Sequence, residues 1–218
     1  MTAGGPFGES VPDGVMPCLL FTPRAPADGP RPLIVFLHGV GERGHTDETL
    51  DRLRVHSLPY LATEGALPDV AGGPFPFIVA CPQTAGGWGD ETDRIERLID
   101  ALAERHGADR GRVYVTGISL GSVGTWQVAE AVPRIAAIAP ISWQPPDSAR
   151  DLDVPAWIAV GAQDRHADVA AIEADAARRG GEPRTVLRVD PDGTHVGGYW
   201  NHVYGQAELY EWMLRWSA

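Results

Sequence analysis

The stretch Gly117-Ile118-Ser119-Leu120-Gly121 places a serine between two glycines, directly after Val113-Tyr114-Val115-Thr116, a run of strand-forming residues. Where a strand turns sharply into a helix the central residue is strained. Only glycines two positions to either side let the backbones pass so closely, and the turn leaves the serine hydroxyl standing above the sheet edge. A serine hydroxyl is a weak nucleophile until a neighbouring base takes its proton and a third group orients that base. The candidate base is His195, in "DPDGTHVGG", and the candidate orienting acid is Asp164, in "GAQD". Serine, aspartate, histidine is the chain order of a triad carried on successive loops of a parallel α/β sheet. Each member has rivals. Asp147 lies after the preceding strand, where the acid can also reside. Asp168 is set back into a helix, and Asp190 and Asp192 share the loop of His195. His202 is the nearest alternative base, and Ser122 lies one helical turn beyond Ser119, where a hydroxyl reads as a packing or helix-start residue. Asp164 is preferred because it closes a strand, and His195 because of its place after the last one.

Positioning these residues requires strands that end where the candidates begin. Short apolar runs occur at Cys18 to Thr22, Leu33 to His38, Phe77 to Ala80, Val113 to Thr116, Ala136 to Ile141, Trp157 to Val160 and Val186 to Val189. Most are nearly continuous in apolar residues, as strands buried on both faces are. Between them the spacing predicts helices over Asp47 to Ala62, Thr92 to His106, Leu120 to Ala131, Ala167 to Arg179 and Gln206 to Trp216. The alternation implies a single α/β domain over residues 1–218, mostly parallel, with helices on both faces and the first 14 residues a loosely ordered segment. Ligands of such sheets sit outside the carboxyl ends of the strands, which is where "HGVGERG", Ser119, "GAQD" and the His195 loop fall. The segment "WQPPDSARDLDVP" is too short and turn-rich to form a helical lid.

Composition excludes several classes of function. A chain of 218 residues with 44% hydrophobic content suits one core. Its 18 Lys+Arg against 29 Asp+Glu give a formal charge of -11, which disfavours nucleic acid and anionic membranes as partners. No apolar stretch approaches the roughly 20 residues that span a bilayer, so the expected location is the cytoplasm. Cys18 and Cys81 are read as reduced core thiols. His45, His56, His106 and His166 show no metal-ligand spacing, and "HGVGERG" is neither a dinucleotide loop nor a Walker motif, so no metal or cofactor is expected. The glycines of that loop instead free backbone N–H groups to face a developing negative charge, with His38 bracing the loop and Glu42 and Arg43 forming a salt-bridged brace. Of the seven tryptophans, Trp126, Trp157, Trp212 and Trp216 fall on elements and read as core. Trp88, Trp143 and Trp200 fall on loops at the catalytic edge and read as an aromatic substrate pocket.

The segments "LIVFLHGVGERG", "ACPQTAGGW", "VYVTGISLGSVGTW", "AAIAPISW", "PAWIAVGAQD" and "AELYEWML" resemble predicted esterases of the α/β-hydrolase superfamily, close to feruloyl-esterase and polyhydroxybutyrate-depolymerase-like enzymes. The resemblance runs from about Pro32 to the C-terminus. It departs where Leu120 and Ser122 stand in place of the methionine and glycine usual after the serine, and where Trp200 follows His195 by five residues rather than three. It implies an α/β-hydrolase fold and serine-dependent cleavage of a small-molecule carboxylic ester through an acyl-enzyme. Ser119, Asp164 and His195 would be the triad, and the backbone N–H groups of Val40 and Leu120 the oxyanion hole, with Gly41 the alternative donor. A thioesterase, an acyltransferase or a non-hydrolytic biosynthetic enzyme would use the same triad, and a non-catalytic receptor is a further reading of the fold. The sequence leaves the substrate's acyl and alcohol groups and the oligomeric state open.

Overall fold

The structure is a computed structural model that describes residues 7–10, 15–149 and 151–218. Among these residues eight strands form one sheet: β1 Phe7–Ser10, β2 Cys18–Pro23, β3 Arg31–Leu37, β4 Ile78–Pro82, β5 Ala108–Ile118, β6 Ala137–Ile141, β7 Ala156–Gly161 and β8 Thr185–Asp190. Their order is β1-β2-β4-β3-β5-β6-β7-β8, with β1–β2 and β2–β4 antiparallel and every pair from β4 to β8 parallel. Alternation along β3 sends Ile34 and Phe36 to one face and Leu33, Val35 and Leu37 to the other, and both sets are buried. That double burial is why the strands read as unbroken apolar runs.

Among the described residues six α-helices cover the faces: α1 Ser57–Glu64, α2 Thr92–His106, α3 Leu120–Ala131, α4 Val169–Arg178, α5 Gly197–Tyr204 and α6 Ala207–Met213. Side chains of α1, α5 and α6 enter one core layer, and those of α2, α3 and α4 the other. Ile95, Leu98, Ile99 and Leu102 of α2 recur at three- and four-residue steps and are all buried. At about 1.5–3 kcal/mol each for full burial, they fix that helix on the sheet. Cys18 and Cys81 are both buried and not disulfide-bonded, on opposite faces of the sheet.

Several elements differ from the sequence reading. The expected helix over 47–62 is two pieces, a 3-10 helix at Asp47–Val55 and α1, because His56 is extended and Ser57 takes a φ of 64°. Helix α5 was not expected, since Gly-Gly, aromatic and β-branched residues give "GGYWNHVY" low helix propensity. Its buried Tyr199, Trp200, Val203 and Tyr204 hold it in place. The helix expected from Ala167 begins at Val169 because the Asp168 side chain caps it, accepting the Ala171 N–H. Of the first 14 residues, 1–6 and 11–14 lie outside the described residues, and Phe7–Ser10 is an edge strand. Among the described residues no α-helix lies between β6 and β7, only the 3-10 turn Asp147–Ala149. No helix among them is long and apolar enough to cross a membrane.

Candidate active site

Ser119 stands alone between the last residue of β5 and the first of α3, with φ 53° and ψ -114°. Such a backbone costs a non-glycine residue about 1–3 kcal/mol and persists only where the surroundings impose it. The surroundings here are the neighbouring main chains. A Cβ on Gly117 would stand 2.6 Å from the Leu37 oxygen, and one on Gly121 would overlap that carbonyl outright. The ends of β3, β5 and α3 are thus pressed together, and Ser119 is pushed up from the junction. Its N–H is held by the Ile141 carbonyl at 3.0 Å. Ser122 is fully buried, its hydroxyl donating to the Trp143 carbonyl, so it packs as expected.

Asp164 lies in the turn after β7 and His195 in the loop after β8. The two loops are clasped by backbone hydrogen bonds from Ala162 N–H to Asp190 O and from Gln163 N–H to Gly193 O. His195 Nε2 lies 2.9 Å from Ser119 Oγ, and Nδ1 lies 2.7 Å from Asp164 Oδ2. A carboxylate can only accept, so Nδ1 carries the proton and Nε2 is free to accept from the serine hydroxyl. Asp164 Oδ1 accepts two further N–H groups, from His166 at 2.9 Å and Ala167 at 3.0 Å. Burial pushes the Asp164 pKa up, but the hydrogen bond from His195 and the two backbone donors outweigh it and hold the carboxyl below its ordinary value. The rivals stand elsewhere: Asp147 opens an exposed 3-10 turn, Asp168 caps α4, and Asp190 accepts the Asp192 N–H. His202 is exposed in the last turn of α5 beside Gln206.

The loop after β3 and the start of α3 carry the candidate oxyanion donors. Val40 opens a 3-10 turn over Val40–Glu42 and Leu120 opens α3, positions whose N–H groups lack partners within their own helix. His38 is fully buried; its Nε2 accepts the Thr84 N–H at 3.1 Å and its Nδ1–H donates to the Gly39 carbonyl at 2.6 Å. Burial lowers its pKa and favours the neutral ring that this pattern requires. The expected Glu42–Arg43 brace is corrected: Glu42 pairs with His56 at 3.0 Å, and Arg43 donates instead to the Gly86 carbonyl.

Of the three pocket tryptophans, two flank His195. The Trp200 ring lies 5.2 Å from the imidazole and donates its indole N–H to Ser142, while Trp143 lies 6.1 Å away. Trp88 is corrected to the core. It is 1% exposed, its indole N–H is taken by the His38 carbonyl, and Gly124 of α3 packs so closely that a Cβ would overlap the ring. Two neighbours escaped the sequence reading. His166 lies 4.8 Å ring to ring from His195, and its place two residues after Asp164 was the available signal. His56 lies 5.0 Å ring to ring from Trp200, with no local signal to reveal it. An open cavity of about 570 Å³ leads to His195, lined by Gln163, Arg165, His166, Thr194 and Val196. Among the described residues no group of three His, Cys, Asp or Glu side chains is arranged to hold a metal ion.

Solved structures share this architecture. A thermostable esterase matches over 98% of this chain with a TM-score of 0.71 and 24% identity, and the chain spans 64% of that protein's length. This chain has the α/β-hydrolase fold. A mutant feruloyl esterase module from Clostridium thermocellum complexed with sinapinate matches over 96% of this chain and 89% of its own, with a TM-score of 0.67 and 15% identity. A fluorophosphonate-binding serine hydrolase of Staphylococcus aureus, FphF, matches over 95% and 99%, with 0.68 and 14%. No protein-family description and no curated protein matches the sequence. On this fold the candidate residues stand on the loops after β3, β5, β7 and β8, at one edge of the sheet.

Proposed function

We propose that this α/β-hydrolase cleaves a small carboxylic ester through a covalent acyl-enzyme. The observation that carries the reading is the unbroken hydrogen-bonded line from Asp164 through His195 to Ser119 on a strained elbow. Ser119 Oγ attacks the ester carbonyl as His195 Nε2 takes its proton, and Asp164 stabilises the imidazolium that forms. The tetrahedral oxyanion faces the N–H groups of Val40 and Leu120, with Gly41 the alternative donor to Val40. His195 then protonates the departing alkoxide, and the acyl group remains on Ser119. Water, deprotonated by the same imidazole, attacks the acyl carbon and releases the acid, restoring the serine hydroxyl.

The substrate's size follows from what covers the site. With only loop and a short 3-10 turn described between β6 and β7, little apolar wall is available to a long acyl chain. At about 25 cal/mol per Å² the missing area forfeits most of the affinity that chain length adds. Trp143, partly exposed beside the imidazole, offers flat apolar surface to a small or aromatic group, while Trp200, 7% exposed, backs the imidazole from the core. The test is mass spectrometry after exposure to a fluorophosphonate, with p-nitrophenyl acetate, butyrate and palmitate and matched acyl thioesters as substrates. The expected result is modification at Ser119 and higher kcat/KM for the acetate and butyrate than for the palmitate or the thioesters. An unmodified Ser119 with no turnover of any ester refutes the reading, and a preference for the thioesters replaces it with a thioesterase.

A further inference from the structure

Glu42 is a carboxylate with a side chain only 10% exposed, and one of its oxygens, Oε2, has no hydrogen-bond partner. Leaving a buried acceptor unpaired costs about 1–3 kcal/mol, more for a charged group, so its place needs a reason. Oε2 points back beneath the loop after β3: a Cβ built on Gly39 would lie 3.1 Å from it and 3.7 Å from the carbonyl of Ile118, the residue before Ser119. The other oxygen, Oε1, accepts from His56 Nε2 at 3.0 Å, and His56 Nδ1 meets Ser57 Oγ at 2.9 Å. Burial pushes the Glu42 pKa up; the hydrogen bond and charge of His56, with smaller help from His38 and the Gly39 amide, keep it below the usual carboxylate value.

Gly39 is therefore held at its carbonyl and packed against on its Cα. His38 Nδ1–H takes its carbonyl oxygen at 2.6 Å, and Glu42 Oε2 stands 3.1 Å from where a Cβ on Gly39 would lie. In a trans peptide the N–H points opposite the C=O. Drawing the Gly39 carbonyl onto the buried His38 ring thus turns the Val40 N–H outward. The partners of Glu42 are themselves anchored from elsewhere. Ser57, at φ 64°, donates its N–H to Asn201 of α5 at 2.5 Å, and a Cβ on Gly197 at the start of α5 would stand 2.9 Å from that of His56. His56 meets one edge of Trp200, and Trp200 meets His195. Contacts run without a gap from the loop after β3 to the histidine that faces Ser119.

We propose that Glu42, oriented by His56, is a positioning residue that together with His38 clamps Gly39 so that the Val40 N–H faces the reacting carbonyl, an inference that rests on the hydrolase reading above. The clamp acts on the transition state alone, because the oxyanion that needs the Val40 donor does not exist in the bound ester.

The test compares Glu42→Leu and Glu42→Gln with the unaltered chain on p-nitrophenyl acetate, on a trifluoromethyl ketone that adds to Ser119 to form an oxyanion, and in amide hydrogen exchange of Gly39 to Gly41. Expected are a kcat about tenfold lower for Glu42→Leu with KM within about twofold, part of the loss that follows from a missing oxyanion donor. Ketone affinity should fall by the same factor and exchange of the three amides should quicken. His56→Gln keeps a donor for Oε1 and should retain kcat within about twofold, whereas His56→Ala should follow Glu42→Leu. Unchanged kcat and exchange in the Glu42 variants overturn the clamp, as does a loss of kcat with ketone affinity intact. Should Glu42→Leu not fold, Glu42→Gln and His56→Ala carry the same comparison. Exchange needs no turnover, so Glu42-dependent protection of Gly39 to Gly41 in a chain whose Ser119 is unreactive would refute the hydrolase reading and leave the clamp standing.

Discussion

Replacing Asp164 by Asn removes one charge and almost no volume, yet the hydrogen bonds around it dictate a severe outcome. Oδ1 of Asp164 faces two backbone donors, the N–H groups of His166 and Ala167, at 2.9 and 3.0 Å. An amide NH2 cannot stand there, because donors would face donors; the asparagine oxygen must take that place. Its NH2 then faces His195 Nδ1, which sits 2.7 Å from Oδ2 in the unaltered protein. To accept from it the imidazole must move its proton to Nε2, and Nε2 is the atom 2.9 Å from Ser119 Oγ. A ring with Nε2–H cannot take the serine proton, so the expected loss is about 10⁴-fold in kcat, the size found when a triad histidine is locked in the wrong tautomer. The assay is steady-state hydrolysis of p-nitrophenyl acetate at pH 7–8, with circular dichroism to verify the fold. A folded Asp164→Asn variant within about tenfold of the unaltered kcat would refute the reasoning, since only a different acid or base would tolerate the change.

His195→Ala should lower kcat by about 10³-fold or more in the same assay, whereas His202→Ala, on the exposed end of α5, should change it by less than about threefold; equal losses would unseat His195. Val40→Pro removes one N–H at the first position of a 3-10 turn, where proline is tolerated, after a Gly39 that is already extended at ψ -172°. It should fold and lose about 10²-fold in kcat, and full activity would move the donor role to Gly41. Gly121→Ala forces a Cβ into the Leu37 carbonyl and should destabilise the fold by about 3 kcal/mol or more in denaturant unfolding, with a shift of less than about 1 kcal/mol counting against the close approach of β3 and α3. Because the folded Asp164 pKa lies below its ordinary 3.8, its stabilisation is complete above that value and lost as pH falls through the folded one. The stability gap between the unaltered chain and Asp164→Asn should accordingly narrow below about pH 4, which unfolding curves at stepped pH will measure.

The sequence alone determined whatever depends on local spacing. The elbow at Ser119 was legible because its strained turn requires glycines at 117 and 121. The parallel sheet was legible because β3 to β7 are buried on both faces and so read as apolar runs. Helices α2 and α3 match the sequence reading residue for residue, one through its regular apolar steps and the other through the elbow that starts it. The order of Ser119, Asp164 and His195 along the chain was equally visible, since each follows a strand. What only the tertiary structure decided depends on residues distant in sequence meeting in space. Asp164 and Asp147 are both acids after strands, and the clasp between the β7 and β8 loops is what brings the first to His195. Trp88 and Trp200 both read from sequence as loop tryptophans, yet Gly124 opens a core slot for one and Ser142 holds the other, in α5, beside the imidazole. Glu42 met His56 rather than the adjacent Arg43 because the 3-10 helix at Asp47–Val55 folds back over the loop after β3. Helix α5 formed against its own propensity because burial of four large side chains outweighs the up to about 1 kcal/mol per residue that propensity withholds.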